Sequence, residues 1–205
     1  MRSRSNPFRN DMMATNDSRV TIHMVTSLDG FVARRDGRVD WLETSDEFAD
    51  GEALDAAGAE AFVETIDCYV MGSRTYETAI QFESQGLGWP YGDKATFVLT
   101  SRKLTSPRET VRFHSGDLTS LANDTLRPAF RNIWVVGGAL LSTEWLRLGL
   151  ADEVRYSILP ILLGEGIPFV HKIGRDIALH LADVKAYANG IVELRYEVPE
   201  ARAPE

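Results

Sequence analysis

Ile133-Trp134-Val135-Val136-Gly137-Gly138-Ala139-Leu140-Leu141 is the stretch whose reading decides the fold. Its first four residues are apolar and β-branched or aromatic, which predicts a buried strand. Gly137-Gly138 then breaks the strand. Leu141, Trp145 and Leu148 follow at near-helical spacing until Gly149 supplies a stop. Strand, glycine turn and helix start, in that order, aim free backbone N–H groups at one point. Such a point suits a phosphate, because missing Cβ atoms allow close approach and the helix dipole favours negative charge. Tight packing alone also accounts for a Gly-Gly pair, so the stretch needs company before it signifies a ligand.

Working outward, the company is there. Asp67-Cys68-Tyr69-Val70-Met71 is a second buried strand that runs into Gly72-Ser73-Arg74-Thr75-Tyr76-Glu77, the opening of another helix. Residues 96–100 form a third strand ending in Ser101-Arg102-Lys103, and Val111 to His114 a short fourth. Arg19 to Thr26 is the first strand of the chain, closed by the turn Ser27-Leu28-Asp29-Gly30. Thr44-Ser45-Asp46-Glu47 matches a capping box and predicts a helix burying Leu54, Gly58, Ala61, Phe62 and Ile66. Asp117 caps a brief helix that Pro128 stops.

Beyond Leu150 the apolar period becomes two, through Val154, Tyr156 and Ile158. Asn189-Gly190, between Ala178 to Tyr187 and Ile191 to Val198, spells a hairpin whose two central residues are both expected at positive φ. Alternating strands and helices followed by a hairpin predict an α/β fold. Its sheet is mixed and mostly parallel, with helices on both faces and a C-terminal antiparallel hairpin. Ligands in such sheets sit at the carboxyl ends of strands, where both glycine junctions and Thr100 to Lys103 lie.

One domain over residues 19–198 is expected, with tails at 1–18 and 199–205, because the 205 residues show no internal boundary. A formal net charge of −8 argues against nucleic acid and anionic membrane as partners. Cys68 is the single cysteine, and neither a membrane-spanning run nor a signal-peptide core is visible. A cytoplasmic protein is the simplest expectation. His23, His114, His171 and His180 have no metal-ligand spacing, so no metal is expected.

Arg74, Arg102 and Lys103 each follow a strand end and neighbour a hydroxyl: Ser73, Thr75, Thr100 or Ser101. Taken singly they read as solvated charge. Together they supply guanidinium and hydroxyl donors for a pyrophosphate and for a second phosphate. No acidic residue stands ready for a ribose 2′-hydroxyl, which favours NADPH over NADH.

Five motifs also carry a family resemblance. Thr26 to Gly30, Met71 to Glu77, Val135 to Gly138, Leu150 to Val154 and Pro160 to Gly166 resemble the dihydrofolate-reductase-like family. The nearer branch is that of the reductase domain of the bifunctional riboflavin-biosynthesis deaminase–reductase. Over residues 19–198 the resemblance implies a dihydrofolate-reductase-like fold and reduction of a heterocycle akin to 5-amino-6-(5-phosphoribosylamino)uracil. It implies NADPH held by Gly30, by Gly72, Ser73, Arg74 and Thr75, by Thr100, Ser101, Arg102 and Lys103, and by Gly137, Gly138, Ala139 and Leu140. Homodimers are common in that branch. Two departures stand out: Val136 occupies the place of a glutamate, and the branch's Asp-Asp-Pro segment is absent. Reduction of a C=N bond also needs a proton at nitrogen. Asp46, a few residues past Trp41, and Asp29 are the candidate acids; each also fits a structural role, Asp46 in a helix first turn and Asp29 in its own turn. The alternatives are dihydrofolate reduction through Asp46 and a nucleotide-binding module without catalysis.

Overall fold

The computed structural model describes residues 18–53 and 56–199. The expected tails at 1–18 and 199–205 lie outside the described residues, save Ser18, whose hydroxyl donates to Phe130 O at 2.8 Å, and Pro199. Among the described residues ten strands and four helices follow in order: β1 (Arg19–Ser27), β2 (Phe31–Ala33), α1 (Ala56–Thr65), β3 (Cys68–Gly72), α2 (Ser73–Ser84), β4 (Ala95–Leu99) and β5 (Val111–His114). After them come α3 (Leu118–Ser120), β6 (Asn132–Gly137), α4 (Ala139–Arg147), β7 (Glu153–Leu159), β8 (Ile167–Pro168), β9 (His180–Ala186) and β10 (Val192–Glu197). A π-helical turn, Leu121–Leu126, continues α3 directly.

Eight strands form one sheet in the order β5-β4-β3-β6-β1-β7-β10-β9. The six from β5 to β7 run parallel, while β10 is antiparallel to both β7 and β9. The separate pair β2–β8 is antiparallel. Strand alternation sorts the core into two layers. Val20, Ile22, Cys68, Val70, Phe97, Ile133 and Val135 meet Trp145 and Leu146 of α4 and Leu121 and Leu126 of the π turn. Their neighbours Tyr69, Met71, Val98 and Trp134 face the opposite way, toward Phe62 of α1 and Tyr76 and Ile80 of α2. Helices therefore cover both faces. Each is held by apolar burial worth about 1.5–3 kcal/mol per large side chain.

Two local expectations are corrected. No helix starts at Thr44; α1 begins at Ala56. The Thr44 hydroxyl instead accepts the N–H of Asp46 at 3.2 Å and donates to Asn189 O at 3.3 Å. A local turn and a long-range tie thus consume the group meant to cap. Ala61 is exposed, Phe62 half-buried and Ile66 buried, whereas Leu54 and the burial of Gly58 fall outside the described residues. The hairpin forms where expected, but only Gly190 has positive φ, at 79°. Gly190 N–H bonds Tyr187 O at 2.9 Å and Tyr187 N–H bonds Ile191 O at 2.8 Å. That is a three-residue loop with one left-handed glycine, which suits the strands' twist without forcing Asn189 into that region.

At the amino end of β7, Glu153 is fully buried and bonded to Arg19 at 2.8 Å, Arg155 at 2.7 Å and Arg195 at 3.4 Å. Burial pushes its carboxyl upward, but these three guanidinium groups outweigh it and hold the group below its ordinary 4.5. Its stabilisation is therefore complete above the ordinary carboxylate range and lost as pH falls through the lowered value. Glu153→Gln should cost about 3 kcal/mol in urea unfolding at neutral pH, the low end for a broken buried pair because the arginines reach solvent. The gap from wild type should narrow below about pH 4.

Candidate active site

The chain reverses its direction across the sheet between β3 and β6. From β3 the crossover through α2 steps outward to β4; from β6 the crossover through α4 steps past β1 to β7. Parallel crossovers are right-handed, so opposite steps place α2 and α4 on opposite faces. A crevice opens between their first turns, at the carboxyl ends of neighbouring strands.

Both helices begin at a glycine, Gly72 for α2 and Gly138 for α4, and among the described residues neither takes a side-chain cap. The first N–H groups of a helix have no intrahelical partner, so both first turns can offer donors to a ligand. A Cβ built at Gly72 would lie 3.9 Å from Gly137 O, and one at Gly138 would lie 3.8 Å from Thr75 Oγ1. The two junctions thus stand against each other, and methyl groups there would occupy the crevice. Gly137 has φ 114° and joins Gly138 through a cis peptide bond. Ala139 is buried and Leu140 exposed at the start of α4.

Strand β4 extends the same edge, with Gly72 paired to Leu99. Just beyond it, Thr100 N–H bonds His114 O at 2.9 Å, and Thr100 Oγ1 accepts from Arg102 N–H at 3.0 Å. Ser101, Arg102 and Lys103 are exposed beside Ser73, Arg74 and Thr75. Arg102 also pairs with Glu77 of α2 at 2.8 Å, a partner that no local spacing announced. Thr100 to Lys103, Gly72 to Thr75 and Gly137 to Leu140 therefore converge on three successive strand ends. Free N–H groups, absent Cβ atoms and flanking cations fit a dinucleotide's phosphates.

On the α2 face the crevice has a floor. Val25 lies on β1, an interior strand, yet is 38% exposed, so among the described residues the sheet is left uncovered there. His23, two residues back on the same strand, stacks on Trp134 at 5.6 Å. Beyond Trp134 and Val136 the crevice continues as a cavity of 420 Å³ between α1 and α2, with Val63, Tyr69, Thr75 and Phe82 in its walls.

The candidate acids stand elsewhere. Asp29 accepts from Ser27 Oγ at 2.6 Å and from the N–H groups of Leu163 at 3.1 Å and Gly164 at 2.7 Å. The Ser27 hydroxyl first, then those two N–H groups, hold its carboxyl below the usual range, so it is ionised and ties two loops. Gly30 turns the chain beside it, bonding Ser27 O and Phe169 N–H, each at 2.9 Å. Asp46 sits in a loop over the hairpin turn, its carboxylate against Gly190. That turn joins β9 and β10, three to four strand spacings from β6, which at about 4.8 Å per strand is roughly 14–19 Å along the sheet from Gly137. His23, Ser157 and Glu193 meet only through the β1–β7 and β7–β10 pairings, which no local pattern in the sequence announces. Among the described residues no group of His, Cys, Asp or Glu could hold a metal ion, and no helix is long and apolar enough to cross a membrane.

A family model described as the RibD C-terminal domain matches residues 18–193. The Bacillus subtilis protein YwjB is 30% identical over 180 residues, which is 88% of this chain and 98% of that protein. A solved structure from Shewanella sp. PV-4, assigned by name to riboflavin biosynthesis, is similar with TM-score 0.75 and 25% identity over 89% of this chain and 99% of that one. A diaminohydroxyphosphoribosylaminopyrimidine deaminase/5-amino-6-(5-phosphoribosylamino)uracil reductase from Thermotoga maritima shares the fold, with TM-score 0.64 and 13% identity over 89% of this chain and 57% of its own.

Gly137→Ala should destabilise more than Gly149→Ala, although both glycines have positive φ. At Gly149 (φ 68°) an added Cβ meets open space, whereas at Gly137 (φ 114°) it meets Met24 Sδ at 3.3 Å. Urea midpoints should show about 1 kcal/mol for the first site and about 2–3 kcal/mol for Gly137.

Proposed function

This chain belongs to the RibD C-terminal domain family, and on that premise we propose that it is a reductase drawing hydride from NADPH to reduce a planar nitrogen heterocycle. The observation that carries the reading is the pair of uncapped, glycine-started helices facing each other across the β3–β6 reversal, with Thr100 to Lys103 alongside. When bound, the nicotinamide supplies the hydride. The free N–H groups of the α2 and α4 first turns bind pyrophosphate, a placement that the helix dipoles favour on both sides. Arg102 and Arg74, with Ser101 and Thr100, take the 2′-phosphate. Val25, Val136 and Trp134 present an apolar wall against which a flat ring is oriented and water displaced. The cavity between α1 and α2 accommodates whatever the heterocycle carries, a ribose phosphate in the nearer relatives. Val136 replaces a carboxylate at the crevice wall, so the substrate here is expected to carry less positive or donor character at that edge.

Exposed Leu181 and Val184 lie on the hairpin edge strand β9 and exposed Leu179 directly precedes it, and they support a homodimer formed through that edge. Leu181→Asp with Val184→Asp should halve the mass read by light scattering; an unchanged mass would assign the assembly to another surface.

Charge tests the cofactor. In the free protein Arg102 is engaged by Glu77, whose carboxyl that guanidinium holds below the usual range. Glu77→Gln should release Arg102 and tighten NADPH about 3-fold with little change for NADH. Arg102→Glu should weaken NADPH by about 10-fold or more, equivalent to 1.4 kcal/mol, and NADH far less. Fluorescence titration of the reduced nicotinamide measures all four affinities. Equal losses for both cofactors would remove Arg102 from the 2′-phosphate site.

A further inference from the structure

The cavity between α1 and α2 has aromatic walls and carries no charge. Tyr69 and Trp134 stand with ring centroids 5.7 Å apart, and Tyr91 lies 4.9 Å from Tyr69, so three rings form one continuous wall. Phe82, Val63 and Ala79 supply further apolar lining. At 420 Å³ the space falls within the roughly 300–1,000 Å³ of small-molecule sites. It continues into the crevice through two shared residues. Val136 directly precedes Gly137, and Thr75 Oγ1 would lie 3.8 Å from a Cβ at Gly138.

Electrostatics decide what the cavity can hold. Among the described residues no Asp, Glu, Lys, Arg or His lines it. Cations on neighbouring segments are engaged on other groups. Lys94 Nζ donates to Val63 O at 2.5 Å and to Glu64 O at 3.1 Å, and Arg108 pairs with Glu83 and lies over the Trp89 ring. Burial, and then Tyr69, push the Tyr91 phenol up to about 12, and burial raises Tyr69 too, so both hydroxyls keep their protons at neutral pH. A phosphate brought into this space would lose its water and gain no countercharge, which is costly. An uncharged ring would exchange water for ring contacts that are favourable both in buried area and in edge-to-face geometry.

We infer that this cavity is a specificity subsite for an uncharged aromatic group, and that it turns a phosphoribosyl group away. The Thermotoga maritima relative is named for a substrate that carries a phosphoribosyl group, so the two proteins part at this subsite. That the aromatic group belongs to a reductase substrate rests on the function proposed above; the cavity's preference for it does not require the cofactor. Thr78 marks the difference most directly. It is exposed at the cavity's edge with its hydroxyl donating back to Arg74 O at 3.1 Å, so it offers no charge where an arginine would meet a phosphate.

The test uses the full chain with three probes that share a uracil ring, by calorimetry with and without NADPH: 6-aminouracil, 6-(benzylamino)uracil and 5-amino-6-(5-phosphoribosylamino)uracil. Wild type should bind the benzyl compound about 10-fold or more tightly than 6-aminouracil in both states, and the phosphoribosyl compound no more tightly than 6-aminouracil. Phe82→Ala should cut the benzyl preference below about 3-fold while leaving NADPH affinity unchanged. Thr78→Arg should invert the order, strengthening the phosphoribosyl compound by about 10-fold and weakening the benzyl one. In wild type the methyl resonance of Ala79, a buried residue of the cavity wall, should move on adding the benzyl compound and stay in place with 6-aminouracil. This measurement decides the matter even if a variant does not fold. No benzyl preference in wild type, a phosphoribosyl compound bound as tightly as the benzyl one, a preference that survives Phe82→Ala, an order that Thr78→Arg leaves unchanged, or an unmoved Ala79 signal overturns the proposal. NADPH bound without the benzyl preference rejects this subsite and leaves the reductase; the preference without NADPH binding does the reverse.

Discussion

Parallel pairing of β3 against β6 is the contact on which the rest of the structure depends. These strands are separated by α2, β4, β5 and α3 in the chain, yet they lie side by side, and every connection leaving them must then go opposite ways. Right-handed crossovers turn those opposite directions into opposite faces. Two helix N-termini are left close to each other, with a glycine at each entrance and no side-chain cap on either among the described residues. A phosphate-sized opening lined by backbone N–H groups is a consequence of topology before it is a property of any residue.

The two faces of the sheet are then put to different uses. The α4 face is closed: Trp145, Leu126, Leu121 and the strand residues beneath them leave almost no exposed apolar surface. The α2 face is closed over β3 and β4 and open over β1, where Val25 is exposed and His23 is held against Trp134 and Phe62. Burial of polar groups follows the same division. Glu153 has three guanidinium partners at the amino end of β7 and is structural, whereas the His23 ring, one level nearer the carboxyl ends, has a nitrogen without a hydrogen-bond partner among the described residues.

Loops complete the rim through short anchors. Asp29 ties the β1 turn to Leu163 and Gly164, and Thr44 ties the loop before α1 to the hairpin turn at Asn189. Both are side chains that local rules assign to their own segment and that tertiary partners claim instead. Asp46 owes its displacement to the second tie: once the Thr44 hydroxyl bonds across to β9–β10, the helix starts twelve residues later and the carboxylate ends over Gly190.

The sequence by itself determined the fold class, the strands and helices of the main sheet's parallel part, and the two glycine junctions, but not the short strands β2 and β8 or the start of α1. Those features rest on short-range physics: apolar periodicity, the conformational reach of glycine and the stop at Gly149. The Thr100 to Lys103 segment was legible for the same reason, being a polar run directly after an apolar strand. Only the tertiary structure decided which strands are neighbours, and hence that Arg102 meets Glu77 and that His23 meets Ser157 and Glu193. Those contacts join residues 25 to 170 positions apart. No local pattern encodes the register that brings such residues together, since it is set by how the whole sheet packs.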